Sequence, residues 1–395
     1  MDRRNENATD DSSYSVSSDI KRDAKVAQRY LSADELSAMP SEVIIRRSLT
    51  VNSIISTTST FARRYQEALN RPDLQQINEI GRGLQGAVFE QVGKSLVMKK
   101  EHPGNATERT SLAHEFAVHR AVVAAFNEFG AAVENSVHVP EVHNIVFDSD
   151  KNFWDAGMLD RFPQGYRVKG TVVRMERILP LPKVIRKAFI HQFYPAESGQ
   201  QTEQISQVLS RPENKHCLAR VYLGREVGPV GKADSFSLRN FPLYLKAMKE
   251  FGLDVSGLAS AMGKAFAIMH WGAGVNGDDV EFVLGTSAVK EQLGDSFDFQ
   301  HRAVGFYLLD FGQCDRVNLE EDDADEVYQA FKGAMVMGDN QLFIPHYEKS
   351  REIFAAFKQG YLLAGQSVIE KRGLEEKFDI GEFMREYEEY AEDFL

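Results

Sequence analysis

The chain has 395 residues, 43% of them hydrophobic and 10% aromatic, with two cysteines and a formal net charge of −12. That length suits two packed parts around a sizeable core. Two cysteines, Cys217 and Cys314, exclude a disulfide framework and a Cys-rich zinc module, and the acid excess counts against a general nucleic-acid binder, so DNA is not an expected partner.

No run of about 18 apolar residues appears, so no membrane span is expected. The stretch from Met1 to Tyr30 is polar and lacks the apolar core of a secretory signal. It reads as a disordered tail over residues 1–30 of a cytoplasmic protein with reduced thiols. Residues 31–72 read as a helical extension that includes a Ser/Thr-rich stretch from Thr50 to Thr60.

From Ile77 to Lys100 the pattern is strand–turn–strand, with Gly81, Gly83 and Gly86 at the turn. Leu112, Phe116, His119, Val122, Val123 and Phe126 fall at helical spacing before Gly130. Val139–Phe147 and Thr171–Ile178 read as strands, and Pro180 and Pro182 end this first part, residues 73–180. The second part, 181–395, holds an inserted segment at about 183–250. It continues with a helix from about Ser256 to His270, capped by Asp254, whose face carries Leu258, Met262, Phe266 and Met269. Val280–Leu284 and Phe306–Leu309 read as two short strands, and Glu326 to Leu395 as helical.

Charge is unevenly spread. Acid gathers in Glu320–Glu326 and the tail from Glu375 to Asp393. Between Arg161 and Lys187, eight Lys and Arg stand against Glu176 alone. That stretch is either a solvated basic face or a patch for a polyanion such as RNA, with Arg174, Arg177, Lys183, Arg186 and Lys187 as the contacts.

The motifs resemble those of protein kinases in their order. A glycine turn, Gly81-Arg82-Gly83-Leu84-Gln85-Gly86, precedes Lys99 on an apolar strand; then come Glu115 on a helix, His270, and Asp310-Phe311-Gly312. The resemblance implies an α+β, protein-kinase-like two-lobed fold, with an antiparallel β-rich first lobe carrying one main helix and a mainly helical second lobe. In such a fold Lys99 pairs with Glu115, Asp310 faces the cleft, and the turn backbone approaches phosphates. One element departs from it: two residues after His270, where a kinase carries its base, stands Gly272.

In its place Asp278, Asp279 and Glu281 cluster before a strand, and alternation is expected to put Asp279 and Glu281 on one face. Two carboxylates on one face can grip a metal ion or a guanidinium, or they are a solvated hairpin edge. His270 is a catalytic candidate or a satisfied core histidine. No metal ligand set is assigned.

Met269-His270-Trp271, Asp278 to Gly285, Leu308 to Cys314 and Asn240-Phe241-Pro242-Leu243 together resemble a fungal family long described as a domain of unknown function and labelled a zinc-finger protein. The resemblance spans roughly Asn78 to Phe354. Members are similar to the arginine-containing cyclodipeptide synthases, which join two aminoacyl groups from aminoacyl-tRNAs into a cyclo-Arg-Xaa diketopiperazine of secondary metabolism. The resemblance implies arginyl-tRNA and a second aminoacyl-tRNA as partners, no required cofactor, and Asp278 to Glu281 as the essential motif. Two other functions fit the same motifs. One is a phosphotransferase with Asp278 or Asp279 as base, binding ATP and Mg²⁺ through Lys99 and Asp310; the other is a pseudokinase-like interaction module.

Overall fold

The computed structural model describes residues 30–57, 63, 67–68, 70–71, 77–92, 94–104, 111–195, 201–229, 232–290 and 297–394. The tail expected over residues 1–30 lies outside them apart from Tyr30, as does much of the extension beyond Thr57.

The described chain is α+β. It opens with β1 (Tyr30–Ser32), α1 (Ala33–Ser37), α2 (Ser41–Ser48) and β2 (Ile54–Ser56). Then come β3 (Ile77–Arg82), β4 (Gly86–Gln91), β5 (Leu96–Glu101), α3 (Leu112–Phe129), β6 (Val137–His138), β7 (Val142–Val146) and β8 (Val172–Glu176). Next are α4 (Lys183–Phe193), α5 (Gln201–Ser210), β9 (Ala219–Tyr222), β10 (Phe241–Tyr244), α6 (Leu245–Glu250) and α7 (Val255–Ala267). A long hairpin, β11 (Glu281–Lys290) and β12 (Phe297–Leu309), leads into α8 (Ala324–Val336), α9 (Asn340–Phe343), α10 (Arg351–Arg372) and α11 (Ile380–Phe394).

Among the described residues the strands form two sheets. The smaller, in the order β3-β4-β5-β8-β7, is antiparallel throughout. The larger runs β1-β2-β12-β11-β9-β10, with β6 also pairing β12. Residues 181–395 are mainly helical as expected, but the sequence did not reveal this larger sheet. Its strands β1, β2, β6, β9 and β10 are two to four residues long, too short for a period of two to register. The extension read as helical likewise gives β1 and β2 to this sheet.

Alternation along β5 explains how the smaller sheet serves two faces. Val97 and Lys99 turn toward the larger sheet, while Met98 enters a small core with Phe89, Trp154, Phe162 and Tyr166. Lys100 follows Met98, its ammonium 4.8 Å from the Trp154 ring centroid and 5.5 Å from that of Phe162. Burial there pushes Lys100 down to about 8. At the start of β4, a Cβ on Gly86 would lie 2.3 Å from the Lys100 carbonyl oxygen. Only glycine lets the two strands close at that point.

Ser111 caps α3 by accepting from the His114 amide at 3.2 Å, and the expected apolar stripe is buried at Leu112, His119, Val122 and Val123. Asp254 caps α7 as expected, accepting from the Gly257 amide at 2.8 Å. The helix ends in a π-helical turn, Ile268–Gly272. Here a Cβ on Gly272 would sit 3.1 Å from both Ala125 and Phe129 of α3. This position is filled by packing against α3. No helix of the described residues is long and apolar enough to cross a membrane.

Candidate functional site

A cleft of about 210 Å³ runs between the two sheets. From the smaller sheet it takes Gly81, Gly83, Val88, Val97, Lys99 and Met175; from the larger, Arg220, Glu281 and Leu309, with Asp310 beyond. Glu115 and His119 of α3 close the back.

Lys99 is the junction. Its ammonium donates to Glu115 Oε1 at 2.7 Å and to Asp310 Oδ1 at 3.1 Å. Burial would push the ammonium down, but Asp310 and Glu115 together hold it above the ordinary lysine range. The second oxygen of Glu115 is buried and has no hydrogen-bond partner. Asp310 reaches this position through a left-handed backbone, φ +66°, a conformation that costs energy outside glycine and gathers at functional sites. The expected trio of Lys99, Glu115 and Asp310 is thus assembled.

Register brings in the next carboxylate. Glu281 pairs with Leu309 across β11 and β12, one residue short of Asp310. Arg220 on β9 lies opposite Val283, so it is the diagonal neighbour of Glu281 on the same face. Its guanidinium donates to the Glu281 carboxylate and, at 3.3 Å, to the Tyr222 hydroxyl. Asp339 Oδ2 lies 3.8 Å from the same guanidinium, whose buried Nε has no partner. Burial pushes the Glu281 carboxyl up to about 7; Arg220 opposes this, and Asp310, Asp339 and Asp279 reinforce it.

Asp279 differs from expectation. It precedes β11 with φ +55°, so strand alternation does not place it beside Glu281. Its carboxylate accepts from Gln313 Nε2 at 2.6 Å and from the Asp339 amide at 3.3 Å, and it does not line the cleft. Asp278 stands outside the cleft lining, its carbonyl accepting from Cys314 Sγ at 3.3 Å. His270 is corrected outright as a catalytic candidate. It is fully buried and stacked on Phe331 at 4.2 Å, its Nδ1 2.7 Å from the Tyr361 hydroxyl and its Nε2 3.1 Å from the Asn276 carbonyl. Burial holds its ring down to about 3, so it remains neutral.

The glycine turn is pinned on both sides. His102 Nε2 lies 2.9 Å from the Gly83 carbonyl, and its Nδ1 is 3.0 Å from the Tyr166 hydroxyl. At the tip, Gln85 is buried and its amide donates to the Gly312 carbonyl. Gly81 and Gly83 line the cleft; Gly86 stands at the base of the turn.

The five residues expected to bind RNA do not form one surface. Arg177 is buried, lines the cleft and pairs with Glu90. Arg186 donates to the carbonyls of Leu181 at 3.0 Å and Asn214 at 2.8 Å. Alternation on β8 turns Arg174 away from Met175, which lines the cleft. Lys183 and Lys187 are exposed one turn apart on α4, lining a separate groove against α1 and α2. Among the described residues, no three His, Cys, Asp or Glu side chains are placed to hold a metal ion.

Arg220 and Asp339 were missed in the sequence. Each lies some 60 residues from Glu281 along the chain, and neither carries a motif. No protein-family model matches the chain, and no curated protein matches it.

Proposed function

We propose that the two sheets and the helices around them are the two lobes of a kinase-like fold whose cleft forms peptide bonds between aminoacyl groups. The chain would then be an aminoacyl-tRNA-dependent cyclodipeptide synthase making a cyclo-Arg-Xaa diketopiperazine. The observation that carries this is Glu281, a carboxyl group poised near neutrality in the cleft and held by Arg220. At the position where a phosphotransferase would carry its base, Gly272 is packed against α3 instead.

An aminoacyl ester is already activated, so the chemistry asks for a deprotonated α-amine and correct positioning. A free α-amino group titrates at about 8, close to Glu281, which favours proton transfer between them. The α-amine of one aminoacyl group attacks the ester carbonyl of the other, and Glu281 takes the amine proton. The C–O ester bond breaks, and the tRNA ribose hydroxyl leaves with a proton. A second attack, by the free amine on the remaining ester, closes the ring and releases the second tRNA. Asp339, whose carboxylate already lies 3.8 Å from the Arg220 guanidinium, is the acidic group we assign to the substrate's own guanidinium. Lys99 and Asp310 orient the carbonyl side.

A phosphotransferase is favoured by one observation, the assembled Lys99–Glu115–Asp310 trio. The two are separated by incubating purified protein with arginyl-tRNA and a mixture of other aminoacyl-tRNAs, without ATP, and analysing products by mass spectrometry. A cyclic Arg-Xaa mass that vanishes after RNase treatment is expected. Its absence from demonstrably charged tRNA, together with ATP binding that depends on Lys99 and Asp310, would replace the synthase by the phosphotransferase.

A further inference from the structure

The reaction above uses the charged end of the cleft and leaves its apolar walls unassigned. Strand register builds them. On the larger sheet, Glu281, Val283 and Gly285 share one face of β11. Leu309 lies opposite Glu281, and Arg220 opposite Val283. One step further along this face, a Cβ on Gly285 would meet Ile178 Cγ2 at 2.4 Å and Leu218 Cδ2 at 3.0 Å. Glycine there lets Ile178 and Leu218 lie down on the sheet, where a side chain would displace both. On the smaller sheet, Val97 and Met175 are directly opposed across β5 and β8, and Val88 lies opposite Lys99. All six apolar side chains line the cleft, and all but Val97 are only half-buried. That is hydrocarbon surface which a matching ligand group removes from water.

The polar groups along these walls are turned to other partners. Glu176 accepts from His138 Nε2 at 2.9 Å and from the Glu141 amide at 3.1 Å. Arg177 pairs with Glu90, and burial holds His216 down to about 4, so its ring is neutral. On the chain that crosses between the sheets, the amides of Glu176, Arg177 and Leu179 donate to the carbonyls of Glu141, Ser95 and Thr286. The polar edge of a nucleotide base finds these three donors taken, whereas a hydrocarbon group needs none.

Resting on the aminoacyl-transfer assignment, we propose that the amino acid joined to arginine is apolar, of leucine or phenylalanine type. Its side chain seats between Val88, Val97 and Met175 on one wall and Ile178, Leu218 and Leu309 on the other. Met175 and Leu218, facing each other from different sheets, set the size of side chain that fits. The carboxylates around Arg220 take the arginine and the hydrocarbon walls take its partner, so one cleft tells its two substrates apart.

The test is a competition. The full chain is incubated with arginyl-tRNA and equimolar leucyl-, phenylalanyl-, asparaginyl- and seryl-tRNA, and the cyclic products are quantified by mass spectrometry. Asparagine matches leucine in shape, so that pair isolates polarity. The leucine and phenylalanine products are expected to exceed the asparagine and serine products by roughly tenfold or more, the scale on which a pocket sorts side chains. Met175→Ala and Leu218→Ala each widen the slot and are expected to raise the ratio of phenylalanine to leucine product by roughly tenfold. A ratio read within one incubation is independent of how much variant is folded. Polar partners equal to or above the apolar ones would overturn the apolar pocket and leave the synthase standing. A ratio unchanged by both variants, whatever the total yield, would also overturn it, because the walls would then hold a part common to every substrate, such as the terminal adenosine. No cyclic arginine product from demonstrably charged tRNA would overturn the pocket and the synthase together.

Discussion

The two ends of the cleft solve the problem of buried charge in opposite ways. At the inner end two cations, Lys99 and Arg220, stand among four carboxylates, Glu115, Asp310, Glu281 and Asp339, so each charge has an opposite partner within reach. At the other end Arg177 and Arg186 are neutralised by Glu90 and by backbone carbonyls, and burial holds His216 down to about 4, so its ring is neutral. The inner end can keep its geometry without a ligand and tune a carboxyl group to neutrality.

The largest expected effect at the inner end comes from Glu281→Gln. The amide keeps an acceptor for Arg220 but takes no proton, so product formation should fall by roughly 10²- to 10⁴-fold, the usual worth of a general base. A fall below tenfold would show that Glu281 is not the base. Next in size, Lys99→Met removes the cation shared by Glu115 and Asp310 and leaves both carboxylates facing each other. It should cost about 3–5 kcal/mol of stability in urea denaturation, as loss of one partner of a buried pair does. Unchanged stability would mean that the trio is not a structural unit.

Acidity sharpens the same contrast. A base must be deprotonated to act, so kcat/KM should climb with pH through about 7, where Glu281 titrates, and level off above. The stability linkage has the opposite sign. The folded protein holds this proton more tightly than the unfolded chain, so its contribution is full below about 4.5 and is lost as pH rises through about 7. Glu281→Gln should therefore gain stability relative to the parent at pH 8, by something of order 1 kcal/mol, and little at pH 4. Parallel melting curves at both pH values would contradict this.

The smallest effects belong to the exposed lysines of α4. Lys183→Ala and Lys187→Ala should each weaken tRNA binding evenly across sequences and flatten its salt dependence by about one unit of slope. A salt dependence left unchanged by the double variant would remove α4 from the tRNA surface.

The sequence carried the inner end only in part. Lys99, Glu115 and Asp310 were legible because each sits in a motif whose order along the chain is itself the signal. Glu281 was legible as a carboxylate before an apolar strand. Its partner Arg220 was not, because it comes from a four-residue strand that joins the site through the larger sheet, and a strand so short shows no period. The same cause hid β1, β2 and β10. His270 could have been placed correctly: it follows Phe266 by four residues and is flanked by Met269 and Trp271, the continuation of a core stripe. The basic stretch failed for a different reason. Counting charges between Arg161 and Lys187 gives no information on burial, and Arg177 and Arg186 are drawn inward by Glu90 and by the carbonyls of Leu181 and Asn214.

The most direct measurement is the rate of cyclic Arg-Xaa formation from charged tRNAs, without ATP, by the parent protein and by Glu281→Gln at matched folded concentration. The expected result is RNase-sensitive product from the parent and a loss of at least a hundredfold in the variant. Equal rates for the two proteins would contradict Glu281 as the base on which this cleft chemistry depends.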